Sequence, residues 1–124
     1  MTQAVKEFIE YNIDYIEKDD WETVFKNWYI YNKDYYFNDF IDILEQAGID
    51  VWEESYEIRA KVLKNIAKNV FTNLSSRGVT VTFQDIGSEL NSLMGFEGQE
   101  LVEVLDLAAK SIGLIKTDTG WVKR

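Results

Sequence analysis

The longest helical pattern in this chain is VWEESYEIRAKVLKNIAKNVFTNLSSRG, residues 51–78. Its apolar residues recur every three or four positions from Ile58 to Leu74, which predicts one buried helix face. Asp50-Val51-Trp52-Glu53 has the form of a capping box and indicates where the helix begins. A helix over 51–74 would be about 35 Å long at roughly 1.5 Å per residue. We therefore expect it to form the spine of the fold.

The residues that follow predict a small β-sheet built around two more helices. Val79-Thr80-Val81 is short and β-branched, as in a strand, and Thr82 and Asp85 are spaced as in a second capping box. The helix that this box opens should bury the apolar residues Phe83, Ile86, Leu90 and Leu93. A turn at 95–98 then leads to a helix over 98–112, and residues 114–123 predict a closing β-hairpin.

The order of these elements over residues 51–124 resembles the winged-helix family. The resemblance rests on element order and turn placement: helix, short strand, helix, turn, helix and hairpin. It implies a winged-helix-like half over 50–124, with 98–112 in the place of the recognition helix that enters the major groove in DNA-binding members. Winged-helix domains bind DNA in many proteins and only other proteins in many more, so the resemblance implies a fold rather than one function.

Residues 1–49 predict an acidic subdomain of three short helices. Apolar residues at helical spacing, with Ile13 on the stripe that should be buried, predict a first helix over 3–17. Asp19-Asp20-Trp21-Glu22 predicts the start of a second, with Asp19 as its cap. The third should end before Gly48, where Ile49 would make the accompanying apolar contact. The predicted fold class is mainly α, with this subdomain packed on the winged-helix-like half around one shared core.

Charge is distributed unevenly along the chain. Residues 1–57 contain fifteen Asp or Glu against four Lys, whereas 58–78 contain five bases and no acid, and the net charge of the whole chain is −9. A negative field repels phosphate and attracts basic proteins. The acidic N-terminal face has three interpretations: a solubility surface, a docking surface for a basic protein that imitates nucleic-acid phosphates, or a divalent metal site. The metal interpretation lacks the spacing of a calcium loop.

Composition argues against several classes of function. The chain has no Cys and no His, so thiolate metal sites and the commonest general base are excluded. No Gly-rich phosphate loop occurs, and Ser75, Ser76 and Ser88 have no His to activate them. We therefore expect a non-enzyme without catalytic residues, metal or cofactor.

Hydropathy indicates a protein that does not enter membranes. No apolar run approaches the roughly 20 residues needed to cross a bilayer, and the first residues lack the apolar core of a signal peptide. The expected location is the cytoplasm, which would be the host cytoplasm if a phage encodes the protein.

Two sets of residues are candidates for binding. The set for a protein partner combines acids with two tyrosines that lie off the buried stripes: Glu7, Glu10, Asp14, Glu17, Tyr31, Tyr35, Asp39, Asp42, Glu100 and Glu103. The set for nucleic acid collects the bases: Lys61, Lys64, Lys68, Arg77, Lys116, Lys123 and Arg124. The three lysines over 61–68 share one helical face, which is either a nucleic-acid patch or a solvated face that pairs with the acidic helices. Duplex binding usually needs several Lys or Arg contacts to phosphate, whereas the expected outward side of 98–112 is mainly acidic, with Glu100, Glu103 and Asp106.

The absence of proline and the heavy use of Asn, Lys, Ile, Tyr and Phe are typical of AT-rich coding in phages and mobile elements. Together with its size and charge, this makes the chain resemble small acidic phage accessory proteins, including anti-CRISPR and anti-restriction inhibitors and DNA mimics, with no one family singled out. The resemblance implies an inhibitor that docks on the basic, nucleic-acid-binding surface of a host protein. The alternatives are a winged-helix transcription regulator, as a dimer joined through the N-terminal helices, and a virion assembly component.

Overall fold

The computed structural model describes residues 3–31, 36–46, 48 and 56–123. Within these residues the protein is mainly helical with one small antiparallel sheet, which confirms the predicted fold class. The elements in chain order are α1 (Gln3–Tyr11), α2 (Ile13–Glu17), α3 (Trp21–Tyr31), α4 (Phe37–Gln46), α5 (Tyr56–Ser75), α6 (Phe83–Glu89), α7 (Gly98–Ser111), β1 (Leu114–Thr117) and β2 (Gly120–Lys123).

Helix α5 is the central element of the fold. Helices α3, α6 and α7 all pack against it, and its buried side includes Leu63, Ala67 and Phe71. Buried apolar side chains from both halves of the chain form one cluster that extends from Val5 on α1 to Trp121 on β2. The expected spine is therefore present over Tyr56–Ser75, while the capping-box pattern at 50–53 lies outside the described residues.

The first helix is interrupted at Asn12, so the prediction of one helix over 3–17 is wrong. Asn12 is only 4% exposed. Its side-chain amide donates to the Phe8 carbonyl at 2.8 Å, and its side-chain oxygen accepts from Nδ2 of Asn27 on α3 at 2.7 Å. Because a buried amide needs hydrogen-bond partners, these bonds hold a local turn between α1 and α2. Ile13, which was expected on the buried stripe, is consequently exposed.

Helix α3 is capped by Asp20, one residue later than predicted. Oδ1 of Asp20 accepts from the Thr23 backbone N–H at 3.3 Å, and Oδ2 accepts from the Thr23 hydroxyl at 2.8 Å. Asp19 precedes the helix with a φ of 57°, a left-handed conformation that Asp tolerates. The polar partner three residues after the cap is thus Thr23, and Glu22 is available for lysine side chains.

The end of α4 follows the expected pattern. Gly48 has a φ of 88°, and its N–H donates to the Glu45 carbonyl at 2.9 Å. A left-handed residue after a helix is most often glycine, because a Cβ is unfavourable there. The predicted contact of Ile49 lies outside the described residues.

The capping box at the start of α6 is present as predicted. Thr82 Oγ1 accepts from the Asp85 N–H at 3.1 Å, and Asp85 Oδ2 accepts from the Thr82 N–H at 3.0 Å. The predicted burial of Phe83 is wrong, since this side chain is 45% exposed. Val81 and Ile86 are the buried apolar side chains at the start of α6. Phe83, the first residue of this helix, remains partly in solvent.

The sheet consists of the predicted hairpin and one additional bridge. Strands β1 and β2 pair in antiparallel register from Leu114–Lys123 to Thr117–Gly120. Within the described chain, the strand predicted at 79–81 is reduced to a single bridge, in which Val81 and Trp121 exchange backbone hydrogen bonds of 2.9 and 2.8 Å. Gly120 permits this approach, because a Cβ at that position would overlap the Val81 carbonyl oxygen.

Aromatic side chains fill the N-terminal part of the core, as their helical spacing predicts. The Trp28 ring stacks on Phe40 with centroids 4.8 Å apart, and Phe8 meets it edge-on at 4.9 Å. Phe8 and Phe40 are themselves 5.3 Å apart and nearly perpendicular. Edge-to-face and stacked arrangements are the favoured geometries of aromatic pairs, so this trio fixes how α1, α3 and α4 meet.

Arg59, a member of the basic stretch 58–78, is buried inside the fold rather than on its surface. Its Nη1 donates to the Met94 carbonyl at 2.9 Å, and its guanidinium lies 5.0 Å from the centre of the Phe96 ring. Burial lowers the pKa of Arg59, which the nearby Glu100 and Tyr56 oppose. The cation therefore joins α5 to the segment before α7 and is not available for a surface partner.

Candidate protein-binding surface

The exposed acids of α1 and α2 lie at spacings that make successive members neighbours on a helix. They are Glu7, Glu10, Asp14 and Glu17, and all four are exposed. Glu7 and Glu10 are neighbours on α1, and Asp14 and Glu17 are neighbours on α2. The break at Asn12 lies between the two pairs, with the Asn12 N–H bonded to the Phe8 carbonyl at 3.1 Å and the Ile16 N–H to the Asn12 carbonyl at 3.0 Å. We call these four carboxylates the N-terminal acidic face.

In the part of the chain that the structure describes, this face forms no ion pair with a Lys or Arg side chain. No Lys or Arg nitrogen of the described residues lies within 4 Å of its carboxylates, and Glu7 accepts a long hydrogen bond of 3.4 Å from Gln3. The described ion pairs involve other acids: Glu22 with Lys26 and Lys61, and Asp106 with Lys110. The four carboxylates are thus directed to solvent, where they attract cations.

The remaining predicted contact residues of the N-terminal half differ in exposure. Asp39 is half-buried in the first turn of α4, where the helix dipole favours an acid, and Asp42 is exposed. Tyr31 is half-buried, with its ring 5.5 Å from Phe8 and 5.3 Å from Trp28. Tyr31 therefore packs on the aromatic core, while Tyr35 lies outside the described residues.

Helix α7 presents acids and one apolar side chain to solvent. Glu100 and Glu103 are exposed, and Leu107 is 60% exposed. Asp106, which was expected to point outward with them, is held against the hairpin: Nε1 of Trp121 donates to its Oδ1 at 3.0 Å. Nζ of Lys110 lies 2.9 Å from its other oxygen. The outward side of α7 is consequently a surface of mixed acidic and apolar character.

The bonds to Asp106 make its charged form a contributor to stability. Desolvation raises the pKa of Asp106, but hydrogen bonds from Lys110 and Trp121, with the charges of Lys110 and Lys116, outweigh it and leave the pKa below its usual value. A carboxyl whose pKa is lowered by folding stabilises the fold above its unfolded pKa, and this contribution is lost as the pH falls through the folded pKa.

Asp106→Asn should therefore destabilise the protein by about 1 kcal/mol at neutral pH. The difference from wild type should shrink as the pH is lowered through the ordinary range of Asp, because the wild-type carboxyl then becomes neutral as well. Urea unfolding at several pH values measures it, with the exposed turn residue Asp118 changed to Asn as the control. A difference that does not vary with pH would contradict the role given to the charge.

The candidate bases are spread over α5 and the hairpin. Lys61 pairs with Glu22 at 3.6 Å, so this member of the lysine face does contact the acidic helices. Lys64 and Lys68 follow it along α5 and are half-buried. Arg77, Lys116 and Lys123 are exposed, and Arg124 lies outside the described residues. Nζ of Lys116 lies 5.8 Å from the Trp121 ring, a cation–π distance.

Sequence reasoning missed an exposed tyrosine beside the acidic face. Tyr11 is 88% exposed, and it lines a shallow surface hollow together with Glu7 and Glu10. Tyr15, four residues later, is also exposed. The spacing of Glu7, Tyr11 and Tyr15, four residues apart and away from the apolar stripe, is the signal that could have revealed this arrangement.

Two classes of site are not seen in the part of the chain that the structure describes. Its Asp and Glu residues form no group of three or more that could hold a metal ion. Its helices include none with the length and apolar character needed to span a membrane. No family model, curated protein or solved structure matches this chain.

Proposed function

We propose that this protein is a small acidic protein-binding module whose N-terminal acidic face docks on a basic, nucleic-acid-binding surface of a host protein. In this proposal it acts as an inhibitor of the anti-CRISPR or DNA-mimic type, encoded by a phage or mobile element. The observation that carries the proposal is the exposure of Glu7, Glu10, Asp14 and Glu17, none of which forms an ion pair within 4 Å with a Lys or Arg of the described residues.

Electrostatics gives this docking a characteristic kinetic behaviour. A negative surface steers a positive partner during diffusion, so association is fast at low salt and slows as salt screens the charges. Lys or Arg side chains that hold phosphate in the free partner would instead face carboxylates. Occupation of that surface would exclude nucleic acid and so inhibit the partner.

The outward side of α7 supports a protein ligand over a DNA duplex. We propose that α5, the Val81 bridge, α6, α7 and the hairpin form a winged-helix-like half, in which α7 has the place of the recognition helix. Glu100 and Glu103 would then approach phosphates, which is unfavourable, and Leu107 suits an apolar protein contact.

Neutralising the acidic face should weaken partner capture by about 10- to 100-fold, as expected for the loss of several steering charges. The variant combines Glu7→Gln, Glu10→Gln, Asp14→Asn and Glu17→Gln. Immobilised wild type should retain a nucleic-acid-handling protein from a host-cell lysate at low salt and release it at high salt. The amount retained is measured by quantitative mass spectrometry.

A control variant with the same net charge separates the face from overall acidity. It combines changes at exposed acids of other elements: Glu45→Gln, Glu57→Gln, Glu89→Gln and Asp118→Asn. Retention should stay close to wild type. Equal losses in the two variants would indicate a general charge effect, and the absence of any salt-sensitive partner would refute the proposal.

The winged-helix regulator is the second candidate, favoured by the exposed Lys116 and Lys123 on the hairpin. It predicts a gel shift with the DNA upstream of the gene that weakens with salt. The shift would disappear in a Lys116→Glu and Lys123→Glu double variant. That pair of results would favour the regulator as the function of this protein and would contradict the inhibitor proposal.

A further inference from the structure

The most exposed large apolar side chain among the described residues is Tyr11, and it lies within the N-terminal acidic face. Tyr11 is the last residue of α1, and Glu7 and Glu10 line the same hollow. Tyr15, on α2 beyond the break at Asn12, is also exposed. The face therefore combines aromatic area with carboxylates.

The exposure of Tyr11 follows from the packing of the residues around it. Phe8 occupies the aromatic core, 4.9 Å from Trp28, and Asn12 is buried with both ends of its amide bonded. Asn12, the next residue, is held inward, and the side chain of Tyr11 is left 88% exposed. Its exposure is thus part of the folded structure of α1.

Other exposed apolar side chains have different surroundings. Ile30 is 75% exposed beside a groove between α3 and α5 that is lined mainly by uncharged residues, among them Tyr29, Val62 and Ile66. Leu107 borders a groove between α5 and α7 in which Glu57 is accompanied by Lys61 and Lys64. Tyr11 differs from both because the charged side chains that line its hollow with it, Glu7 and Glu10, are both carboxylates, and this favours a cationic partner.

We infer that Tyr11 is the anchor of the acidic face, and that the partner's site is an apolar contact bordered by arginines. This inference rests on the proposed function. Tyrosine is enriched among interface residues that carry most of the binding energy. Its ring can contact an apolar side chain or the face of a guanidinium, while Glu7 and Glu10 pair with the flanking cations. The carboxylates then set the association rate and Tyr11 the dissociation rate.

Two synthetic helical peptides of equal positive charge test the inference. One is amphipathic, with arginines bordering a row of leucines, and in the other serines replace the leucines. Isothermal titration calorimetry at low salt should show that wild type binds the Arg/Leu peptide at least about 10-fold more tightly than the Arg/Ser peptide. Tyr11→Ser should reduce this ratio to about 1- to 2-fold and leave binding of the Arg/Ser peptide unchanged.

Matched variants make the outcomes distinct. Tyr11→Phe should preserve most of the ratio, and Ile30→Ser and Leu107→Ser should preserve it fully. Equal binding of the two peptides by wild type, or a ratio that survives Tyr11→Ser, overturns the inference but leaves charge-driven docking in place. If wild type binds neither peptide, the inference and the proposed function both fail. An unchanged thermal midpoint of Tyr11→Ser shows that the variant is folded.

Discussion

Replacing Trp28 by alanine is expected to lower the free energy of unfolding by about 4 kcal/mol, the cost typical of removing a buried aromatic side chain. Trp28 is fully buried, stacks on Phe40 and meets the edge of Phe8. Its loss would open a cavity where α1, α3 and α4 meet. Because domains are stable by only about 5–15 kcal/mol, the variant should be largely unfolded or strongly destabilised in urea denaturation followed by circular dichroism.

A pair of conservative substitutions separates packing from hydrogen bonding. Nε1 of Trp28 has no hydrogen-bond partner among the described residues, whereas Nε1 of Trp121 donates to Asp106. Trp28→Phe should therefore lose packing only, while Trp121→Phe loses packing and the bond to Asp106. Stability that changes by less than about 1 kcal/mol in Trp28→Ala would contradict the central position of this ring in the core.

Gly120→Ala is expected to destabilise the protein by about 3 kcal/mol, at the upper end of the cost of overpacking. A Cβ at Gly120 would overlap the Val81 carbonyl oxygen and lie 2.8 Å from the Cα of Thr82. Both neighbours are backbone, so they cannot move aside as a flexible side chain could. The bridge between Val81 and Trp121 would have to open. Thermal unfolding and amide hydrogen exchange at Val81 measure the two effects.

Gly87→Ala is the matched control for this substitution. Gly87 lies within α6, and a Cβ there meets no atom within 4 Å. Alanine favours a helix interior over glycine by about 1 kcal/mol, so this variant should be as stable as wild type or more so. If Gly120→Ala were as stable as Gly87→Ala, the close approach of the hairpin to Val81 would be wrong.

The elements that sequence analysis predicted well are those with a strong local signal. The periodic stretch ending at Leu74 forms α5, the Thr82 and Asp85 pair forms the capping box of α6, and Thr117 to Gly120 forms the hairpin turn. Each depends on side chains a few residues apart, so the spacing in the chain contains the necessary information.

The elements that it missed depend on contacts between distant residues. The turn at Asn12 needs the amide of Asn27, fifteen residues away, and the burial of Arg59 needs the carbonyl of Met94 and the ring of Phe96. Charged residues are rarely buried unless they are paired, so nothing in the composition indicated that Arg59 is buried. Neither arrangement has a signature in local spacing.

The candidate surface was predicted only in part, because contacts between distant residues also determine which of its side chains face solvent. Helical periodicity was sufficient to expect Glu7, Glu10 and Asp14 on the outside, and all three are exposed. The same periodicity places Tyr11 off the apolar stripe, a signal that was not used. It was not sufficient for Asp106, whose inward position follows from the indole of Trp121 on the hairpin.

Competition between this protein and a DNA duplex for the captured host protein tests the central proposal most directly. A fluorescently labelled duplex is first bound to that host protein, and the acidic protein is then titrated in while anisotropy is recorded. The duplex should be released as the acidic protein binds. The variant neutralised at Glu7, Glu10, Asp14 and Glu17 should release it poorly. The acidic protein alone should not bind the duplex. Simultaneous binding of both ligands to the host protein, or direct binding of the duplex by this protein, would contradict the proposal.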